Sequence, residues 1–167
     1  MAIYLRQKIE QEQRVNSMIK FQKLFFIHLV IFISAFFLNL VWETLHQSLY
    51  ISSSPMPTLF GFILYQCAFR DALLILLLYW IICAGTQDWL WIIAVKKHAF
   101  FVIVLGIFLS IVIELQHVYV VHDWSYTASM PLLPFIPVGL SPVAQLVVTP
   151  LLSFAAAQAF YRSNLLK

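Results

Sequence analysis

The stretch LFFIHLVIFISAFFLNLVW, residues 24–42, decides the class of fold. It contains no Asp, Glu, Lys or Arg, and it matches the roughly 20 apolar residues a helix needs to cross a bilayer core. Comparable apolar runs follow at residues 59–83, 99–116 and 142–160. Inside hydrocarbon an unpaired backbone amide is costly, so each run must be helical. The expectation is an all-α, polytopic four-helix transmembrane bundle. Composition agrees: the chain is 62% hydrophobic and 10% charged, with mean hydropathy +0.90. A soluble domain carries about a quarter charged residues.

Charge is segregated along the chain. Arg6, Lys8, Arg14, Lys20 and Lys23 precede the first run, Lys96 and Lys97 lie between the second and third, and Arg162 and Lys167 follow the fourth. The stretches after the first and third runs hold no Lys or Arg. This alternation predicts an inner-membrane protein with both termini cytoplasmic and loops 51–58 and 118–141 outside. The net charge of +3 comes from these flanks, so a nucleic-acid partner is not expected. Membrane lipid is the expected partner, with a homo-oligomer or a larger membrane complex open. The division is a basic cytoplasmic segment 1–23, a membrane domain 24–161 and a tail 162–167. The first run is too long for a signal-peptide core and no small-residue cleavage site follows it, so it reads as an uncleaved anchor.

Several local features refine this outline. Trp89 and Trp91 read as an interfacial belt, and His28 and His98 as surface or interfacial groups. Ser141 and Pro142 suit the N-cap and first position of the fourth helix. Pro150 predicts a kink within it. Ser153, Ala155, Ala156, Ala157 and Ala159 offer a small-residue surface for close helix approach. The segment ASMPLLPFIPVGLSP, residues 128–142, is too rich in proline for a regular helix. It predicts an irregular outer loop, either an interfacial segment or a lid over a cavity.

Two helix ends resemble each other. WETLHQ closes the first run and IELQHV the third, giving Glu43-x-x-His46 and Glu114-x-x-His117. Each places a carboxylate and an imidazole on one helix face. An outer loop with Met-Pro follows each, Met56-Pro57 and Met130-Pro131. Arg70 and Asp71 lie within the second run. As sequence neighbours they do not face each other, so Arg70 is expected to reach Glu43 and Glu114. Three carboxylates against one guanidinium leave two surplus negative charges, which burial penalises. Protonated carboxylates, protonated His46 and His117, or a divalent cation would each neutralise them. A metal would be held by His46, His117, Glu43 and Glu114, an arrangement akin to paired Glu-x-x-His sites in helix bundles. Gln145 would join from the fourth helix, and His122 and Asp123 read as a hydrated loop.

The stretches LNLVWETLHQSLY (38–50), CAFRDALL (67–74) and DWSYTASMPLLPFIPVGLSPVAQLVVTPLL (123–152) resemble a family of small four-span bacterial membrane proteins. Its pattern has Trp-Glu near the first helix end, Asp in the second helix, and Trp-x-Tyr, Met-Pro and Gly-Leu-x-Pro-x-x-Gln. Glu43, Asp71, Glu114, Trp124, Tyr126, Pro131, Pro142 and Gln145 match it. The positions of His46 and His117 are often amides in that family. The resemblance implies a shared set of polar groups and brings no reaction with it.

Two functions stay open. In one, Glu43, Asp71 and Glu114 are acid/base groups of an enzyme acting on a lipid or isoprenoid. Arg70, His46, His117, Trp124, Tyr126 and Gln145 would then bind the substrate. In the other, the same groups serve a proton- or cation-coupled transporter component, or only fasten helices.

Overall fold

The structure is a computed structural model and describes residues 1–52 and 60–164. The Met56-Pro57 pair and most of the first outer loop lie outside the described residues. Four long helices dominate: α1 (Ala2–His46), α2 (Phe60–Thr86), α3 (Val95–Leu115) and α4 (Leu140–Asn164). Each contains a stretch long and apolar enough to cross a membrane. α1 runs unbroken from the lead-in before residue 24 into the first span. Nothing in that stretch would interrupt a helix: it has no Pro and no Gly.

Each helix buries one stripe. On α1 this is Ile27, Ile31, Ala35, Asn39 and His46; on α3 it is His98, Val102, Gly106, Ser110 and Glu114. The spacing of three or four residues is that of a single helical face. α1 packs against α2 and α4, and α3 packs mainly against α4. α4 is the most buried helix, with half of its spanning window inside the bundle. Ser153 and Ala157 face that interior, whereas Ala155, Ala156 and Ala159 are exposed. Only part of the expected small-residue surface is therefore used.

A close helix contact involves Gly106. A Cβ built there would lie 2.3 Å from the Leu146 carbonyl oxygen. That carbonyl is four residues before Pro150, which has no N–H to give it. The bare Gly106 backbone fills the place of the missing donor.

The apolar core occupies one half of the bundle. Tyr79, Trp91, Phe154, Ile31, Ile75 and Val102 are buried there. Trp91 packs on Tyr79, Phe154 and His98, and its indole N–H donates to the Tyr79 carbonyl at 3.3 Å. Trp91 and His98 are thus buried groups and not interfacial ones. Trp89 is exposed, and its carbonyl accepts from the Tyr79 hydroxyl. His28 is half-buried and accepts from the Trp80 indole at 3.0 Å.

The opposite end carries the polar groups and the only strands among the described residues. β1 (Tyr50–Ser52) pairs antiparallel with β2 (Trp124–Tyr126), with Tyr50 opposite Tyr126 and Ser52 opposite Trp124. Thr127 N–H donates to the Leu49 carbonyl at 3.0 Å, extending this link. The ends of α1 and α3 are thereby tied together. They close differently, α1 by a 3-10 turn (Gln47–Leu49) and α3 by a π turn (Gln116–Val121) that stops at His122 in the left-handed region, φ 61°. The proline-rich segment folds back on itself. Leu132 bridges Gly139, Leu133 N–H donates to Val138, and Leu140 N–H donates to Pro131. Phe135, at φ 70°, is fully exposed at its tip.

Candidate functional site

Gln145 organises the polar end. It stands in the second turn of α4 and is buried. Its amide nitrogen lies 3.0 Å from Asn39 Oδ1, 2.9 Å from Glu43 Oε1 and 2.8 Å from Asp71 Oδ2. One side chain thus joins α4 to both α1 and α2. An amide has two N–H donors, so three acceptors share them. The Glu43 and Asp71 carboxyls thus converge on one amide nitrogen.

Glu43 has a second neighbour. His46 Nε2 lies 3.2 Å from Glu43 Oε2, the partner expected from the i, i+3 spacing. The other ring nitrogen, Nδ1, is 2.9 Å from the Ser141 hydroxyl. Because α4 begins at Leu140, Ser141 is already helical, and its side chain reaches His46. A chain of contacts therefore runs Ser141, His46, Glu43, and the Gln145 amide carries it on to Asp71.

Glu114 lies in a separate arrangement. It is buried, and its Oε2 accepts from the Tyr126 hydroxyl at 2.6 Å and from the Trp124 indole at 3.4 Å. Both donors come from β2, so strand pairing positions them. His117 does not join Glu114. Its ring stacks on Trp124 with centroids 4.5 Å apart, and its Nδ1 is 2.7 Å from Asp123 Oδ2. The two Glu-x-x-His units are alike in sequence and unlike in space. Glu43 and His46 both lie in α-helix, whereas His117 falls in the wider π turn. Asp123 is correspondingly a partner of His117, beyond a merely hydrated loop residue.

Tyr50 bridges the two arrangements. Its ring is 5.2 Å from His46, 6.3 Å from Trp124 and 5.7 Å from Tyr126. Burial pushes the Tyr50 phenol well up, with the charge of Glu114 adding to it. Burial and the bond to Glu114 do the same for Tyr126. Both phenols thus remain hydrogen-bond donors at neutral pH. Sequence reasoning missed Tyr50 as a site residue and took Ser141 only as a cap. The signal for Tyr50 was its place one turn beyond His46; nothing local to Ser141 distinguished it from an ordinary N-cap.

Two expectations require correction. The metal set of His46, His117, Glu43 and Glu114 is divided, since His117 is committed to Asp123 and Trp124. No three His, Cys, Asp or Glu side chains among the described residues gather to hold a metal ion. The donors present do not fit a divalent cation. Nor does Arg70 pair with the glutamates. Its side chain is exposed and makes no hydrogen bond or ion pair among the described residues. Asp71 takes the inward position on α2, so Arg70, one residue before it, is carried to the outer surface of the bundle.

Two buried polar atoms have no partner among the described residues, Trp42 Nε1 and Gln47 Oε1. Trp42 stands one turn after Asn39 and one turn before His46 on α1. A buried group left unmatched costs about 1–3 kcal/mol, and water or a ligand commonly supplies the partner.

The fold and these groups define a multi-pass helical membrane protein with its polar residues gathered at one end of the bundle. Comparison of the chain with known protein families, with curated proteins and with solved structures finds no match.

Proposed function

We propose that the protein is an inner-membrane enzyme that performs acid/base chemistry on a membrane lipid, with its strand-bearing end outside. The observation that carries this reading is the convergence of the Glu43 and Asp71 carboxyls on the Gln145 amide nitrogen. Two carboxyls set side by side can share one proton, which makes a ready acid and a ready base in one site. Ionisable groups at membrane depth are expensive and mark function by default. His46 and Ser141 extend the pair into a proton relay, and the unpartnered Trp42 indole supplies a donor for substrate. Glu114, held by Tyr126 and Trp124, is a second acid/base group on the far side of Tyr50. The orientation is supported by charge. Lys96 and Lys97 open α3, Arg162 closes α4 and reaches the Ile93 carbonyl at 3.2 Å, and Lys23 lies over Tyr161. All of them stand at the end away from the strands, which suits a cytoplasmic face.

The test compares lipid profiles of cells lacking the protein and of cells complemented with wild type, Glu43→Gln or Asp71→Asn. Restoration by wild type and failure by both variants is expected. Full restoration by both variants would remove the enzyme reading.

One observation favours a second reading, a helix-fastening or transporter component. The same Gln145 amide ties α4 to α1 and α2. If the variants lose assembly while the lipid profile never changes, this second reading prevails.

A further inference from the structure

A groove runs along the lipid-facing seam of α1 and α2, lined by Phe36, Tyr65, Gln66, Phe69, Arg70 and Leu73. Its lining follows from helix geometry. Gln66, Phe69, Arg70 and Leu73 follow the i, i+3, i+4, i+7 spacing of one helix face. Its aromatic walls are fixed by stacking of Phe36 on Tyr65 at 6.4 Å and by the edge contact of Phe32 with Phe69 at 5.5 Å. None of these residues belongs to the Gln145 cluster. Tyr65, Phe69 and Leu73 are each about half exposed.

Arg70 decides what the groove holds. It lies seven residues after Ile63, where the spanning stretch of α2 begins, or about 10 Å along the helix. Its side chain leans toward the start of α2 and so rises toward the strand-bearing end. A guanidinium at that depth without an anion is costly; the neighbouring Asp71 carboxylate attracts it but is itself engaged by Gln145, and no ion pair joins Arg70 to a carboxylate among the described residues. Its planar fork suits a phosphate bidentately. Gln66, one turn nearer the strands, and the Tyr65 hydroxyl add two neutral donors. Three donor groups match the three free oxygens of a phosphomonoester. Below them Phe36, Phe69 and Leu73 offer an apolar track for a hydrocarbon chain.

We propose that this groove binds a phosphomonoester lipid, with the phosphate on Arg70 and the chain descending along Phe69 and Leu73. The proposal names the substrate class for the lipid-acting reading above and rests on that reading for its purpose, although the binding itself stands on the groove alone. Asp71, the next residue, is itself one of the two carboxyls on Gln145 and lies about 100° round the same helix turn. A lipid held by Arg70 is therefore brought beside the acid/base groups.

The experiment titrates the detergent-purified full chain with dioleoyl phosphatidic acid and counts bound lipid by native mass spectrometry. Wild type is expected to bind it at least tenfold more tightly than dioleoyl phosphatidylglycerol, and Arg70→Gln to lose that margin. Leu73→Trp, which fills the groove from an exposed position, is expected to weaken binding about fivefold. Equal binding by wild type and Arg70→Gln, at matched thermal stability, would overturn the proposal. So would equal affinity for phosphatidylglycerol, displacement of the lipid by millimolar inorganic phosphate, or an Arg70-dependent dimer that forms without lipid. Glu43→Gln is expected to bind phosphatidic acid as wild type does. Intact binding with unchanged lipid profiles in the complementation test would overturn the enzyme reading alone, whereas lost Arg70 dependence overturns this one alone.

Discussion

Gly106 of α3 and Leu146 of α4 meet backbone to backbone: a Cβ on Gly106 would lie 2.3 Å from the Leu146 carbonyl oxygen. The contact exists because Pro150 cannot donate to that carbonyl. The free lone pairs are met by a glycine Cα–H, a weak hydrogen bond of the kind common between membrane helices. Gly106→Ala should push α3 from α4 and lower stability by about 1–3 kcal/mol, the range for overpacking. Gly106→Leu should prevent α3 from docking. Unfolding in mixed micelles measures both, and an unchanged Gly106→Ala would show that the contact is not a constraint.

Gln145→Leu should be among the more damaging single changes. It removes the donor shared by Asn39, Glu43 and Asp71. Each acceptor left unpaired costs about 1–3 kcal/mol. Asn39→Ala removes one acceptor only and should cost less. A double-mutant cycle between Gln145 and Asp71 should give clear coupling, and additive losses would contradict a shared network.

Alkaline pH should weaken the fold through Tyr50 and Tyr126. Both phenols are pushed up in the folded protein, whereas an unfolded tyrosine titrates near 10. Below about pH 10 both states hold the proton and stability is unaffected by these groups. Above it the unfolded state releases the proton first, so stability falls as pH rises toward the folded values. Melting curves of wild type and of Tyr50→Phe/Tyr126→Phe between about pH 9 and 11 test the sign. A loss equally steep in the double variant would assign it elsewhere.

Trp124→Ala should release His117. The ring rests face to face on Trp124, and the same indole donates to Glu114. The substitution should shift the His117 ring resonances strongly and leave those of His46 nearly unmoved, because Tyr50 stands between Trp124 and His46. Equal shifts at both histidines would mean that the two arrangements are one.

Topology is open to direct labelling. With Cys67 and Cys83 replaced, a cysteine at Ser129 should react with an impermeant reagent from outside, and one at Lys96 only after the membrane is opened. The reverse pattern would invert the protein and move the Glu43–Asp71 pair to the inner leaflet.

The four spans were legible in the sequence because length and apolarity alone decide whether a segment can cross hydrocarbon. Glu43, Asp71 and Gln145 were legible as candidates for the same reason in reverse, being polar where polar groups are costly. Trp91 and His98 misled, since an aromatic beside lysines is the common mark of an interface; here the turn before α3 folds Trp91 into the core. What each candidate meets was not legible. Residues 39, 43, 71 and 145 are remote in the chain and are joined by packing of α1, α2 and α4.

By itself, then, the sequence determined an all-α chain of four membrane-length helices with its polar groups collected near one end. Hydrophobic periodicity and backbone hydrogen bonding are local, and residue order is sufficient to express them. The tertiary structure decided that Glu43-x-x-His46 forms a pair while Glu114-x-x-His117 does not. It also turned Arg70 away from both glutamates and brought Ser141 and Tyr50 to His46. The physical reason is rotation: a 3-10 turn at one helix end, a π turn at the other and a short strand pair between them set where each side chain points. Spacing within a helix does not carry that information.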